Sequence, residues 1–132
     1  MAQPDLLSIL SRPVAFHRVL ADLTGNVLSA LMLSQAIYWQ RVADAGGSNS
    51  PLAGRWHKTR EDWTDETALT RREQETARKR LRELADEHGR RLWAECEHGM
   101  PSRLFYRVDV DVLHALLRAL ADERRAAAQL PI

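Results

Sequence analysis

Apolar residues fall along the chain in runs whose spacing changes from helical to strand-like and back. Leu6, Leu7, Ile9 and Leu10 form a short apolar lead. Pro13 suits the first turn of a helix, where its missing N–H costs little. Val14, Phe16, Val19, Leu20 and Leu23 then give an amphipathic stripe. Gly25 ends that helix and Asn26 is suited to cap the next. From Val27 to Val42 the helix is apolar on most of its surface, as expected of one buried centrally in a fold. The run from Ala45 to Pro51 is rich in Gly, Ser and Asn and reads as a loop, which Gly54 extends.

Arg55 to Lys58 predicts a short extended segment. Thr59 caps a helix, with Asp62 at its third position as a weak capping box. Thr70 caps a second helix with Glu73 at the third position, and this helix runs from Arg71 to about Glu87. Ala77, Leu81 and Leu84 mark its inner face, and His88-Gly89 ends it. Two segments of strand character follow, Arg91 to Glu97 and Arg103 to Val108, separated by a hairpin tip at His98 to Ser102. Asp111 is read as the cap of a last helix with the stripe Val112, Leu113, Leu116, Leu117 and Leu120. The tail after Arg125 is expected to fray.

This order predicts a mainly α fold with a small β-hairpin, a winged helix-turn-helix. The expected single domain covers 1–132. It divides into a lead at 1–12, N-terminal helices and loop at 13–54, the helix-turn-helix and wing at 55–108, and a C-terminal helix and tail at 109–132. Only Ala68-Leu69-Thr70 separates the two helices of the motif. Such a tight turn holds the second helix against the first and leaves its far face free.

Composition narrows the function classes. A chain of 132 residues, 45% apolar, can bury a sizeable single core. Its one cysteine, Cys96, excludes an internal disulfide and fits a reducing cytoplasm. The N-terminus lacks the basic stretch and apolar core of a signal peptide. The longest apolar region is interrupted by Ser29, Ser34 and Gln35, and it is shorter than the roughly 20 residues needed to span a bilayer. No membrane segment is expected.

The net charge is only +1, but its distribution is uneven. Residues 70–82 hold six Lys/Arg against two Asp/Glu, and clustering of this kind matters more than the sum. The far face of the second motif helix carries Arg71, Arg72, Glu75, Arg78, Lys79 and Arg82. A helix fits the DNA major groove with its N-terminal residues at base edges. Arg71 and Arg72 lie there, and Glu75 is able to accept from cytosine. Arg78, Lys79 and Arg82 are assigned to phosphates. Thr70 and the helix N-terminus suit a further phosphate, and Arg103 at the base of the wing suits a phosphate or the minor groove. The same charges also fit a solvated surface laced with i,i+4 pairs, of which Glu75 and Lys79 make one.

Several stretches resemble the winged-helix domains of phage and plasmid replication proteins, the initiators and replisome organisers. Gly25, Ala30-Leu31, Leu33-Ser34-Gln35 and Tyr38-Trp39 are similar to their opening helix. Lys58-Thr59, Trp63, Glu66-Thr67, Leu69-Thr70-Arg71-Arg72-Glu73, Thr76-Ala77-Arg78 and Leu81 are similar to their helix-turn-helix. Gly99-Met100-Pro101 and Tyr106-Arg107-Val108-Asp109 are similar to the wing and its strand. The likeness covers about residues 13–117. Ala68 departs from it, standing where such turns commonly have Gly. The resemblance implies binding to double-stranded DNA and a role in replication or transcription control of a mobile element. It sets Arg71, Arg72, Glu75 and Arg78 on the DNA-facing helix.

Other chemistry is sparse. Cys96 and His98 are two apart on one strand face, too few ligands for a closed zinc site. No GxSxG, P-loop or GxGxxG occurs, so neither an enzyme nor a cofactor is expected. The tryptophans read as core, with Trp56 open to exposure beside the glycine-rich loop. The acidic set Glu61, Asp62, Asp65 and Glu66 is expected to face solvent or a protein partner. With the near-neutral total charge, that set motivates the alternative function, a module that binds or inhibits a host or replisome protein. The leucine stripe of the last helix must be covered, either by the first helices or by a second copy in a homodimer.

Overall fold

The computed structural model describes residues 16–46 and 53–129. The apolar lead, Pro13, Val14 and most of the glycine-rich loop lie outside the described residues. Five helices and three strands follow in order. They are α1 (Arg18–Thr24), α2 (Val27–Ala45), β1 (Trp56–His57), α3 (Arg60–Thr67), α4 (Arg71–Glu83), β2 (Trp93–His98), β3 (Arg103–Val108) and α5 (Val110–Ala128). The fold is mostly helical with one small antiparallel sheet in the order β1-β3-β2. The predicted hairpin is therefore joined by a third strand, with Trp56 opposite Tyr106 and His57 opposite Phe105.

Helix ends follow local chemistry. Gly25 closes α1 at φ 70°, a left-handed conformation that costs glycine no Cβ clash. Asn26 caps α2 by accepting from the Ser29 N–H. Thr59 with Asp62, and Thr70 with Glu73, each form a complete capping box. Ala68 ends α3 at φ 63°, so the alanine adopts the conformation that glycine holds more cheaply.

Two predicted boundaries are corrected. The α4 helix stops at Glu83, not near Glu87, and Leu84 is extended. The Leu84 carbonyl accepts from the Leu92 N–H, and Asp86 accepts from the N–H groups of His88 and Arg90 and from the Arg90 guanidinium. Asp86 and Arg90 thus clip a turn instead of pairing along a helix. Arg91 donates to the carbonyls of Arg82 and Glu83, closing the helix end as basic side chains do. At the last helix the cap is Asp109, which accepts from the Val112 N–H, and not Asp111.

The core lies where α2, α3 and α4 meet the sheet. It contains Met32, Leu33, Ala36, Trp63, Leu69, Ala77, Leu81, Leu92 and Val108. Trp56, Trp63, Trp93 and Tyr106 form one aromatic cluster, with the Trp56 and Tyr106 rings stacked at 5.1 Å. Such pairs add about 1 kcal/mol each beyond their buried area. Trp56 is buried, not exposed. Small residues let α2 and α4 approach closely: Ala30 and Ala77 are fully buried, and the Ser29 hydroxyl donates to the Ala77 carbonyl.

Of α5, only Val112 and Leu113 are fully buried, while Leu116 and Leu117 pack partly against the core. Arg124 ties α5 to Asp22 of α1. The last helix thus returns to the first, which covers part of its stripe. Val27, Tyr38 and Val42 of the apolar α2 remain exposed. No single helix among the described residues is long and apolar enough to cross a membrane.

Candidate nucleic-acid interface

The α4 helix has two chemically distinct faces. Gln74, Ala77 and Leu81 are buried, at the i, i+3, i+7 spacing that keeps one face inward. Gln74 fixes α4 to the preceding helix and turn. Its amide donates to the Thr64 hydroxyl and to the carbonyls of Arg60 and Leu69. Opposite this face, Arg71, Arg72, Glu75, Lys79 and Arg82 are exposed. Thirteen residues make a rod about 20 Å long.

The eight residues expected at the site are not equivalent. Thr70 is exposed, but its hydroxyl already accepts from the Glu73 N–H, and Glu73 returns a bond to the Thr70 N–H. Arg71 lies 3.9 Å from Glu75, a loose i,i+4 pair that contributes a few tenths of a kcal/mol at best. Arg72 and Lys79 form no salt bridge among the described residues. Arg103 is exposed at the start of β3, opposite His98, and is joined to the α4 residues by no hydrogen bond or ion pair among the described residues.

Arg78 and Arg82 are brought together by a residue outside the expected set, Glu95. Glu95 of β2 accepts from the Arg82 Nη1 at 3.2 and 3.4 Å, and one of its oxygens lies 3.9 Å from the Arg78 Nη1. The Trp93 indole N–H also donates to Glu95, at 2.8 Å. Arg78 is 17% exposed and reaches the Tyr106 hydroxyl at 3.4 Å. Its Nε is buried with no hydrogen-bond partner. A signal for Glu95 existed in the chain. Residues two apart on a strand share a face, so Glu95 shares the core side of Trp93, where a carboxylate needs a cationic partner.

Arg80 belongs to the same basic run but works elsewhere, donating to the Thr24 carbonyl at the end of α1 at 3.0 Å. Glu66 is a correction to the acidic set. It pairs with the buried Lys58 and accepts from the Trp39 indole and the Gln35 amide, both at 2.7 Å. Lys58 lies 4.1 Å from the Trp39 ring centre, a cation–π contact that further offsets its burial.

Among the described residues, no group of three or more His, Cys, Asp or Glu is arranged to hold a metal ion. Cys96 is half-buried beside the Arg55 guanidinium. No protein-family model, curated protein or solved structure matches the chain.

Proposed function

We propose that the chain is a winged helix-turn-helix protein that binds double-stranded DNA, with α3 and α4 as the motif, α4 as the recognition helix and the β2–β3 hairpin as the wing. The observation that carries this reading is the division of α4. Its inner face is held by Gln74, Ala77 and Leu81, while Arg71, Arg72, Lys79 and Arg82 face solvent together. A rigid helix with a free basic face is what major-groove docking requires. Arg71 and Arg72, in the first turn, are the base-reading candidates, with Lys79 for phosphate. The role in replication or transcription control of a phage, plasmid or related element rests on the resemblance carried by residues 13–117.

A second reading, a docking face for a host or replisome protein, draws on Glu73, Glu75 and Glu95, which stand among the arginines and reduce the field a phosphate would meet. Fluorescence anisotropy with a random-sequence duplex across a salt series separates the two. DNA binding predicts affinity that falls steeply with salt, at a log–log slope of several phosphates. No binding at low salt overturns it and leaves the protein-docking reading.

A further inference from the structure

We propose that the Arg78–Arg82 step of α4 is a seat for one backbone phosphate, and that Glu95 is the internal carboxylate that competes for it. This rests on the DNA-binding reading and adds to it a residue that holds affinity down. The surface dent here is lined by Glu75, Thr76, Arg78, Lys79 and Arg82, so three cations meet one anionic neighbour on the helix itself. Glu95 reaches in from β2 and touches Arg82 with both oxygens. A carboxylate set between guanidinium groups makes the contacts that a phosphate oxygen would make.

Arg78 is held only loosely. Its two nearest partners stand at 3.4 and 3.9 Å, and its Nε is buried without a partner. Hydrogen bonds this long recover little of the cost of burying a guanidinium. The two non-bridging oxygens of a backbone phosphate, sharing one negative charge and approaching Lys79 and Arg82, offer Arg78 shorter charge-assisted hydrogen bonds than the 3.4 and 3.9 Å contacts it has now. Glu95 is itself 15% exposed and anchored by the Trp93 indole, so it remains close by and competes at every binding event.

The test compares the wild type with Glu95→Gln in salt titrations against a random-sequence duplex. Glutamine keeps an oxygen for the Trp93 indole, so the fold is retained, and an unchanged melting temperature checks this. The variant is expected to bind about fivefold tighter near 0.1 M salt, with a log–log slope steeper by about one. Equal affinity and slope, or weaker binding by the variant, overturns the competition. Inorganic phosphate provides a readout that does not depend on DNA. Followed at the Trp93 indole N–H resonance, it is expected to shift the signal saturably, and at lower concentration in Glu95→Gln. Absence of that shift in both proteins overturns the seat. A saturable phosphate shift without duplex binding by either protein sinks the DNA reading and keeps the anion seat. Duplex binding that ignores Glu95→Gln keeps the DNA reading and sinks the competition.

Discussion

The side-chain oxygen of Gln40 accepts a hydrogen bond from the backbone N–H of Val108 at 2.7 Å, across 68 positions of the chain. The reason lies in the shortness of β1. Its pairing with β3 stops at Trp56 opposite Tyr106, so on continuing the register Gly54 would face Val108. Gln40 fills that gap from α2: its amide nitrogen donates to the Gly54 carbonyl at 2.6 Å, and its oxygen takes both the Val108 N–H and the Trp56 indole. One buried side chain therefore finishes the sheet edge. Gln40→Leu keeps the approximate volume and strands two donors and an acceptor. The expected loss is about 3 kcal/mol, read as a lower urea midpoint by tryptophan fluorescence. A loss below 0.5 kcal/mol on the order of surface substitutions would mean that water replaces the amide.

The Lys58–Glu66 pair gives an asymmetric prediction. Lys58 is 5% exposed and Glu66 is 24% exposed. Glu66→Ala leaves an ammonium buried over two indole rings and frees the Trp39 and Gln35 donors, so it is expected to cost about 3–5 kcal/mol. Lys58→Met fills the stem's space with an apolar chain and leaves Glu66 its two remaining donors. Its cost is expected to be about 1 kcal/mol. Chemical denaturation of both variants checks the order, and equal losses would contradict it.

These two networks also explain what the chain disclosed and what it kept back. Local chemistry was legible: the Thr59 and Thr70 caps, the Gly25 stop, the α4 inner face through Ala77 and Leu81, and both hairpin strands follow from neighbours within a few residues. The α4 end was not legible, because Leu84 continues the apolar spacing of Ala77 and Leu81 although it is extended and outside the helix. The Leu84–Leu92 bond holds it there. Buried Trp56 donates to Gln40, 16 positions away, and Glu66 meets Trp39 and Gln35 from 27 and 31 positions away; neither contact leaves a periodic trace. At the candidate interface, the exposed arginines could be read from spacing and the inward side of Glu95 from its place two residues after Trp93, whereas its pairing with Arg78 and Arg82 enters only when β2 is laid beside α4.

Ala68 sits at φ 63° between α3 and α4. For a residue with a Cβ this left-handed conformation costs roughly 1–2 kcal/mol, partly offset by the smaller chain entropy alanine loses. Its side chain is exposed, so no packing compensates. Ala68→Gly is therefore expected to stabilise the protein by about 0.5–1 kcal/mol. A thermal melt raised by about 2–5 °C is the corresponding shift, and a lowered melt would show that chain entropy outweighs the relief of strain.

Two aspartates are expected to contribute to the acid limb of stability. Asp62 is held below its ordinary carboxylate value first by the Thr59 backbone N–H and then by the Thr59 hydroxyl. For Asp86, desolvation pushes the value up, but the hydrogen bonds from Arg90 and His88 outweigh it and the net direction is down. A depressed folded value means that the contribution is complete above the unfolded pKa, near 4, and is lost as pH falls through the folded value. Asp62→Asn with Asp86→Asn is expected to be less stable than wild type at pH 7 and to show a shallower decline below pH 4. Parallel acid limbs in the two proteins would assign the decline to other carboxylates.

Lys79 and Arg80 are adjacent in sequence and face different tasks, which lets one pair of substitutions separate binding from folding. Arg80 donates to the Thr24 carbonyl and braces α1 against α4. Lys79 is exposed beside Arg82 on the free face. Arg80→Ala removes one charge-assisted bond and is expected to cost about 1 kcal/mol of stability, with duplex affinity reduced only through the loss of net charge. Lys79→Ala is expected to leave the melt within about 0.5 kcal/mol of wild type. It should weaken duplex binding about threefold near 0.1 M salt and lower the log–log slope by about 0.9. Because the two substitutions remove the same charge from neighbouring positions, a bulk electrostatic effect predicts equal affinity losses. A groove-facing α4 predicts a larger loss at Lys79, and equal losses would argue that the basic run acts on DNA only through its summed field.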